Sequence, residues 1–172
     1  MVGTQPKTDW PKWRRNWRPA GNNGGTQAMT CHEFISSMQS RGATIAPPAP
    51  QHEIIQTNSV LQHIRAAILP MFMIELYSHA GGIAMDSGYI FGPNEFTNGP
   101  RTPVPSLVEL NRDISGLPGT TGKTIFGRND LFWFAFDAFG TCYMLDNLTL
   151  RILRKYDDPY RALTDCLIAG KF

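Results

Sequence analysis

The chain has 172 residues, a length that suits one domain with a full-sized core. Hydrophobic residues make up 42% and charged residues 17%, while 16 Gly and 13 Pro require many turns, a balance that excludes a coiled coil and a wholly disordered chain. The net charge of +2 is too small for a dedicated nucleic-acid binder, and it is unevenly spread: residues 1–28 hold Lys7, Lys12, Arg14, Arg15 and Arg18 against Asp9, a local +4 that leaves −2 for residues 29–172.

Within the first stretch Trp10, Trp13 and Trp17 stand at i, i+3 and i+7, one face of a helix capped by Asp9, and residues 20–25 form a turn-rich linker. A basic, Trp-striped peptide suits a membrane surface or a nucleic acid. Equally, the stripe can dock on the chain's own domain, or Met29 can be the true start. The expected organisation is a basic Trp-rich extension and linker over 1–28 and a single α+β domain over 29–172.

Thr30 with Glu33 three residues on is a capping box, and Phe34, Ile35 and Met38 follow it, so a helix is expected over about 31–40, closed by Gly42. Residues 46–50, with three prolines, can only be an extended spacer. Leu61, Ile64 and Ile68 predict a second helix between Asn58, read as its cap, and Pro70. Pro70 opens a third helix, apolar on nearly every face and therefore buried on several sides, which Gly81-Gly82 ends.

Residues 89–92 predict a short strand, 97–105 a proline-punctuated loop and 107–114 a short helix. From Leu131 the alternation is strict, with Phe132, Phe134 and Phe136 on one side and Leu131, Trp133 and Ala135 on the other, which predicts a central strand. A turn at 137–140 leads to a strand over 141–145, and a turn at Asn147 to another near 150–155, an antiparallel meander. Asp157-Asp158-Pro159 starts a final helix closing at Gly170. Helices followed by strands and a closing helix define the expected class: α+β, with N-terminal helices, an antiparallel or mixed sheet containing a meander, and a C-terminal helix packed on it.

The longest apolar run, residues 66–74, contains Pro70 and is about half of what a membrane-spanning helix needs. Residues 1–28 lack the apolar stretch of a secretory signal, so the cytoplasm is the expected compartment. Cys31, Cys142 and Cys166 are odd in number and widely spaced, which fits reduced thiols. The Gly-Lys-Thr of residues 122–124 lacks the spacing of a phosphate-binding loop, because Leu117 stands where Gly is required. His32-Glu33 and His52-Glu53 open like zinc-protease helices, but the second His is replaced by Ser36 and Gln56. Asp137, Asp146, Asp157 and Asp158 lie where turns and helix starts favour Asp. The expectation is a protein with no catalytic residues, no cofactor and no metal, hence not an enzyme.

The order of these features resembles the SUKH superfamily, which includes bacterial immunity proteins and fungal cell-wall regulators. The resemblance is carried by Leu69-Pro70, Leu76-Tyr77, His79-Ala80-Gly81-Gly82 and Ile90-Phe91-Gly92-Pro93, then by the aromatic strands at 131–137 and 143–146 and the helix at 159–168. It spans about 58–172 and leaves the first 50 or so residues outside. The Trp/Arg extension, the proline spacer and the positive charge depart from it, since an inhibitor of a basic nuclease should be acidic. The resemblance implies a non-enzymatic cytoplasmic immunity protein whose partner is a cognate secreted toxin domain, with neither nucleic acid nor membrane as partner. The alternative is a scaffold or regulatory adaptor of the same superfamily. Asp86, Tyr89 and Glu95 are the expected partner contacts, because Gly-rich irregular loops expose side chains that a partner can read.

Overall fold

The computed structural model describes residues 28–100 and 102–168, so the Trp stripe lies outside the described residues. Helix α1 (Cys31–Ser40) forms where its capping box places it: Thr30 Oγ1 accepts from the Glu33 N–H at 3.2 Å, and the Glu33 carboxylate accepts from the Thr30 N–H at 2.9 Å. It buries Cys31, Phe34, Ile35 and Met38. Strand β1 (Thr44–Ile45) and the proline spacer follow, and helix α2 (Gln51–His63) starts directly behind Pro50.

Here the chain departs from expectation. The helix expected from Asn58 to Pro70 begins at Gln51 and ends at His63, where Arg65 at φ +60° turns the chain away. Pro50 supplies a preset φ of −62° and no N–H that needs a partner, so a helix can open straight from a proline run. Its inner stripe is Ile54, Thr57 and Leu61; buried Thr57 satisfies its hydroxyl on the Glu53 carbonyl at 2.9 Å. Asn58 is no cap. From mid-helix its Oδ1 accepts the Leu69 N–H at 2.8 Å and ties the returning chain to α2.

Helix α3 (Met71–His79) starts behind Pro70 as expected and buries Met73, Leu76 and Tyr77 completely, but it is not covered all round: Met71 is 77% exposed. The chain then crosses its own backbone. A Cβ on Gly81 would lie 2.4 Å from the Pro47 carbonyl oxygen, and one on Gly92 would lie 1.5 Å from the Gly81 carbonyl oxygen, so no other residue fits either place. The Tyr77 hydroxyl donates to the Phe91 carbonyl beneath this crossing.

Strands β2 (Ile83–Met85) and β3 (Gly88–Ile90) form a hairpin. Residues 97–105, expected as a loop, hold a second small hairpin of β4 (Phe96–Asn98) and β5 (Thr102–Val104), in which Pro103 faces Thr97. A two-stranded ribbon tolerates this proline because each strand has a partner on one side only. Helix α4 (Leu107–Ile114) lies where expected, with a second capping box between Ser106 and Glu109. Strand β6 (Lys123–Arg128) is hidden in the sequence by its polar start and by Gly127. Strands β7 (Phe132–Asp137), β8 (Cys142–Asp146) and β9 (Ile152–Tyr156) complete the expected meander, and helix α5 (Pro159–Ile168) closes the fold.

The main sheet has the order β1-β2-β3-β6-β7-β8-β9 with every pair antiparallel, and its C-terminal helix packs on it: the class is α+β. Register sorts the side chains into rows that alternate between faces. One row runs Ile45, Ile83, Ile90, Gly127, Phe134, Met144, Arg154 and faces α5; a Cβ on Gly127 would sit 2.6 Å from Cys166 Sγ. On this face Phe126 stacks on Phe136 at 5.9 Å between ring centroids, and Phe72 of α3 meets Phe136 edge-on. The next row runs Thr44, Ala84, Tyr89, Arg128, Trp133, Leu145, Ile152 and belongs to the opposite face. There the β4–β5 hairpin and α4 cover the first half of the sheet. Buried Asn111 locks α4 on, donating to the Ile125 carbonyl and accepting the Ile125 N–H, both at 2.8 Å. Trp133 is half-buried in this second row under the Arg128 guanidinium, 4.8 Å away, whereas Leu131 stays exposed in the turn before β7.

Candidate partner-binding surface

The three residues expected to meet a partner do not form one site. Asp86 is exposed in the β2–β3 turn at φ +51°, and its carbonyl lies 3.5 Å from Asn98 Nδ2. Tyr89 sits on β3 between Ala84 and Arg128, half-buried in a cavity of about 150 Å³ with Pro103, Val104 and Leu110. Its carbonyl accepts from Cys166 Sγ at 3.3 Å. Glu95 is exposed beside the proline spacer, in a groove with Pro47, Glu53 and Asn94. The neighbouring Phe96 ring lies against Gly82, so Glu95 is at one end of β2 and Asp86 at the other. The Glu53 carboxylate accepts from Asn94 Nδ2 and fixes that groove's floor.

The residues examined for chemistry are placed as structural parts. Lys123 and Thr124 open a strand rather than a helix; the Lys123 ammonium lies 3.4 Å from the Gly119 carbonyl oxygen, and the buried Thr124 hydroxyl donates to the Ala67 carbonyl at 2.6 Å. Burial raises all three thiols, that of Cys142 up to about 12. Such thiols resist becoming the reactive thiolate. Among the described residues no three His, Cys, Asp or Glu side chains come together as a metal site would need.

Two carboxylates serve their own turns. Asp137 takes the N–H groups of Phe139 and Thr141 at 2.9 and 3.1 Å and the Tyr143 hydroxyl at 2.8 Å. Burial pushes this carboxyl upward, but those hydrogen bonds and Lys155 outweigh it and hold the group below the usual carboxylate range. Asp146 accepts from Thr149 and Leu148 and is held low by those bonds.

Exposed apolar side chains gather elsewhere, at two ends of the meander. At the β7–β8 turn Phe139 is 94% exposed, and the same turn approaches α3, where Gly140 lies against Pro70 beside exposed Met71. At the opposite end Leu131, Leu148, Ile152 and Leu153 are all exposed, Leu148 to 90%. That second end is also basic, with Arg151, Arg154 and Lys155 on β9 or next to it and Arg128 in the same cross-strand row as Ile152. Arg154 stacks over the Tyr156 ring at 4.7 Å and pairs with Asp165 at 3.3 Å, and the Tyr156 hydroxyl donates to the same carboxylate at 2.8 Å, which fastens β9 to α5. Sequence reasoning passed over this group. The one local signal was the basic, apolar run Arg151-Ile152-Leu153-Arg154-Lys155.

Among the described residues no helix is long and apolar enough to cross a membrane. The chain matches no family model, and no curated protein or solved structure matches it at a significant level.

Proposed function

We propose that this chain is a non-catalytic binding protein of the SUKH type, an immunity protein that seats on a cognate secreted toxin domain inside the producing cell and blocks its active site or substrate groove. The observation that carries the reading is the backbone crossing at Gly81 and Gly92. Of the motifs that resemble the family, Leu69-Pro70 opens the α3 helix and Gly81-Gly82 follows its end, while Gly81 and the Gly92 of Gly92-Pro93 meet in the crossing, which supports reading the last two as one structural unit rather than as scattered common dipeptides. Three free, buried thiols support a reducing compartment such as the cytoplasm.

The test is co-expression with the product of the adjacent gene. Rescue from its toxicity together with co-purification is the expected result, with a dissociation constant of about 1 nM or below, since a weaker inhibitor would leave active toxin. A harmless neighbour that does not bind would end the immunity reading in favour of a regulatory adaptor.

A further inference from the structure

We propose that β9 takes up an extended, acidic segment of the partner, which pairs along its outer side as an eighth strand. The inference rests on the binding-protein reading only for the identity of that partner. Strand β9 is the edge of the seven-stranded sheet, and among the described residues no strand pairs with its outer side. An edge strand offers backbone N–H and C=O groups to an incoming strand, and side-chain contacts then set which strand is accepted.

Those contacts are apolar and basic. Ile152 and Leu153 are 53% and 51% exposed, with Leu148 beside them at the β8–β9 turn. Ile152 faces Leu145 in the row that contains Trp133 and Arg128, while Leu153 is the extra residue of the bulge between Ile152 and Arg154. An added strand therefore finds apolar contact through both residues. Residues 151–155 contain three cations and no carboxylate. Asp146 is engaged by its own turn, Asp165 by Arg154 and Tyr156 and Asp158 by the start of α5, while exposed Asp130 and Asp157 lie off the strand, in the β6–β7 turn and after Tyr156.

This charge also decides between occupants. A second copy pairing edge to edge would bring four cations, Arg151 and Lys155 from each chain, into one two-stranded ribbon beside the two Arg154 already paired with Asp165, and like charges on facing or diagonal positions repel. An acidic segment meets Arg151 and Lys155 favourably, and apolar residues interspersed along it find Ile152, on the same face as Lys155, and Leu153. The partner surface that meets β9 is thus acidic, which distinguishes it from the cationic groove of a nuclease.

The test uses the full chain with three synthetic peptides: alternating Glu-Val, alternating Lys-Val, and Glu-Val with N-methyl groups on alternate amides so that it cannot pair. Only the first should bind, slowing hydrogen exchange at the amides of Ile152–Tyr156, and salt should weaken it. The double variant Arg151→Glu/Lys155→Glu, at two exposed positions, should weaken binding at least about tenfold while remaining folded, with only the small drop in unfolding midpoint that loss of the Lys155 attraction on Asp137 brings. Equal binding of the Lys-Val or N-methylated peptide, no binding of Glu-Val, or protection confined to another part of the sheet would overturn the proposal. So would tight binding of oligothymidylate that the same variant abolishes, which would assign the surface to a single-stranded nucleic acid. A complex with the adjacent gene product that survives the double variant unchanged removes β9 as the interface and leaves the immunity reading standing. Absence of any such complex ends that reading and leaves the peptide result to decide the edge.

Discussion

Strand β2 is buried along its whole length, at Ile83, Ala84 and Met85 alike, whereas on β9 of the same sheet only Tyr156 is buried and the other four residues are exposed. Both are short strands in antiparallel pairs. The difference is the number of layers above them. Near β2 the sheet has α5 on one face and the β4–β5 hairpin on the other, with Asn98 of β4 reaching from Asp86 to Thr44. Strand β9 has α5 on one face and a neighbour on one edge, and among the described residues nothing covers the rest. Burial is therefore concentrated in the first strands and the middle of the sheet, and the last strand is the one we propose for recognition.

The largest effect that would break this contrast is in the shared core. Phe136→Ala empties a fully buried site between Phe72 and Phe126 and should cost about 3–5 kcal/mol in urea unfolding. A loss below about 1 kcal/mol would mean that the aromatic layer is not the core. Gly92→Ala should cost about 3 kcal/mol, because the clash is with the Gly81 carbonyl and no side-chain rotation relieves it. An unchanged unfolding midpoint in that variant would remove the crossing as the structural reason for the family-like motifs.

Smaller effects sharpen the contrast at the meander's turns. The Asp137 carboxyl is held low in the folded state, so its stabilising contribution is present above the unfolded carboxylate value of about 4 and is lost as pH falls through its lower folded value. Asp137→Asn should make stability less steep between neutral and acid pH; solvent screening at this turn limits the effect to about 1 kcal/mol, read from urea midpoints across the pH range. Leu153→Thr on β9 should change stability by less than about 0.5 kcal/mol. A cost approaching that of Phe136→Ala would show that β9 is covered.

Much of the architecture was legible because its signals are local. Thr30 with Glu33 fixed one helix start through reciprocal hydrogen bonds, and Pro70 and Asp158-Pro159 marked two more; the same box at Ser106 and Glu109 went unread, though the helix over 107–114 was expected. The alternation of Phe132, Phe134 and Phe136 announced β7. Helix α2 was misplaced because Asn58, which serves many helices as a cap, here holds the Leu69 N–H from inside one. Strand β6 was obscured because Gly127 must be bare where Cys166 packs on it, a requirement that comes from α5. The expected contacts Asp86, Tyr89 and Glu95 are close in sequence but separate in space, since the chain folds into β2, β3 and β4 around them.

The sequence alone determined where the chain caps, turns and alternates, because those choices depend on side chains a few residues apart. The apolar alternation on both faces of 131–137 also marked that strand as central, as it is in the sheet, but nothing local marked 150–155 as an edge. Residues 131–137 and 150–155 both read as strands, yet the first has a strand on each side and the second, among the described residues, a strand on one side alone. That outcome depends on α5, α4 and the β4–β5 hairpin, elements tens of residues away that pack over one part of the sheet and stop short of another. Burial is a property of layers, and only the tertiary structure places the layers.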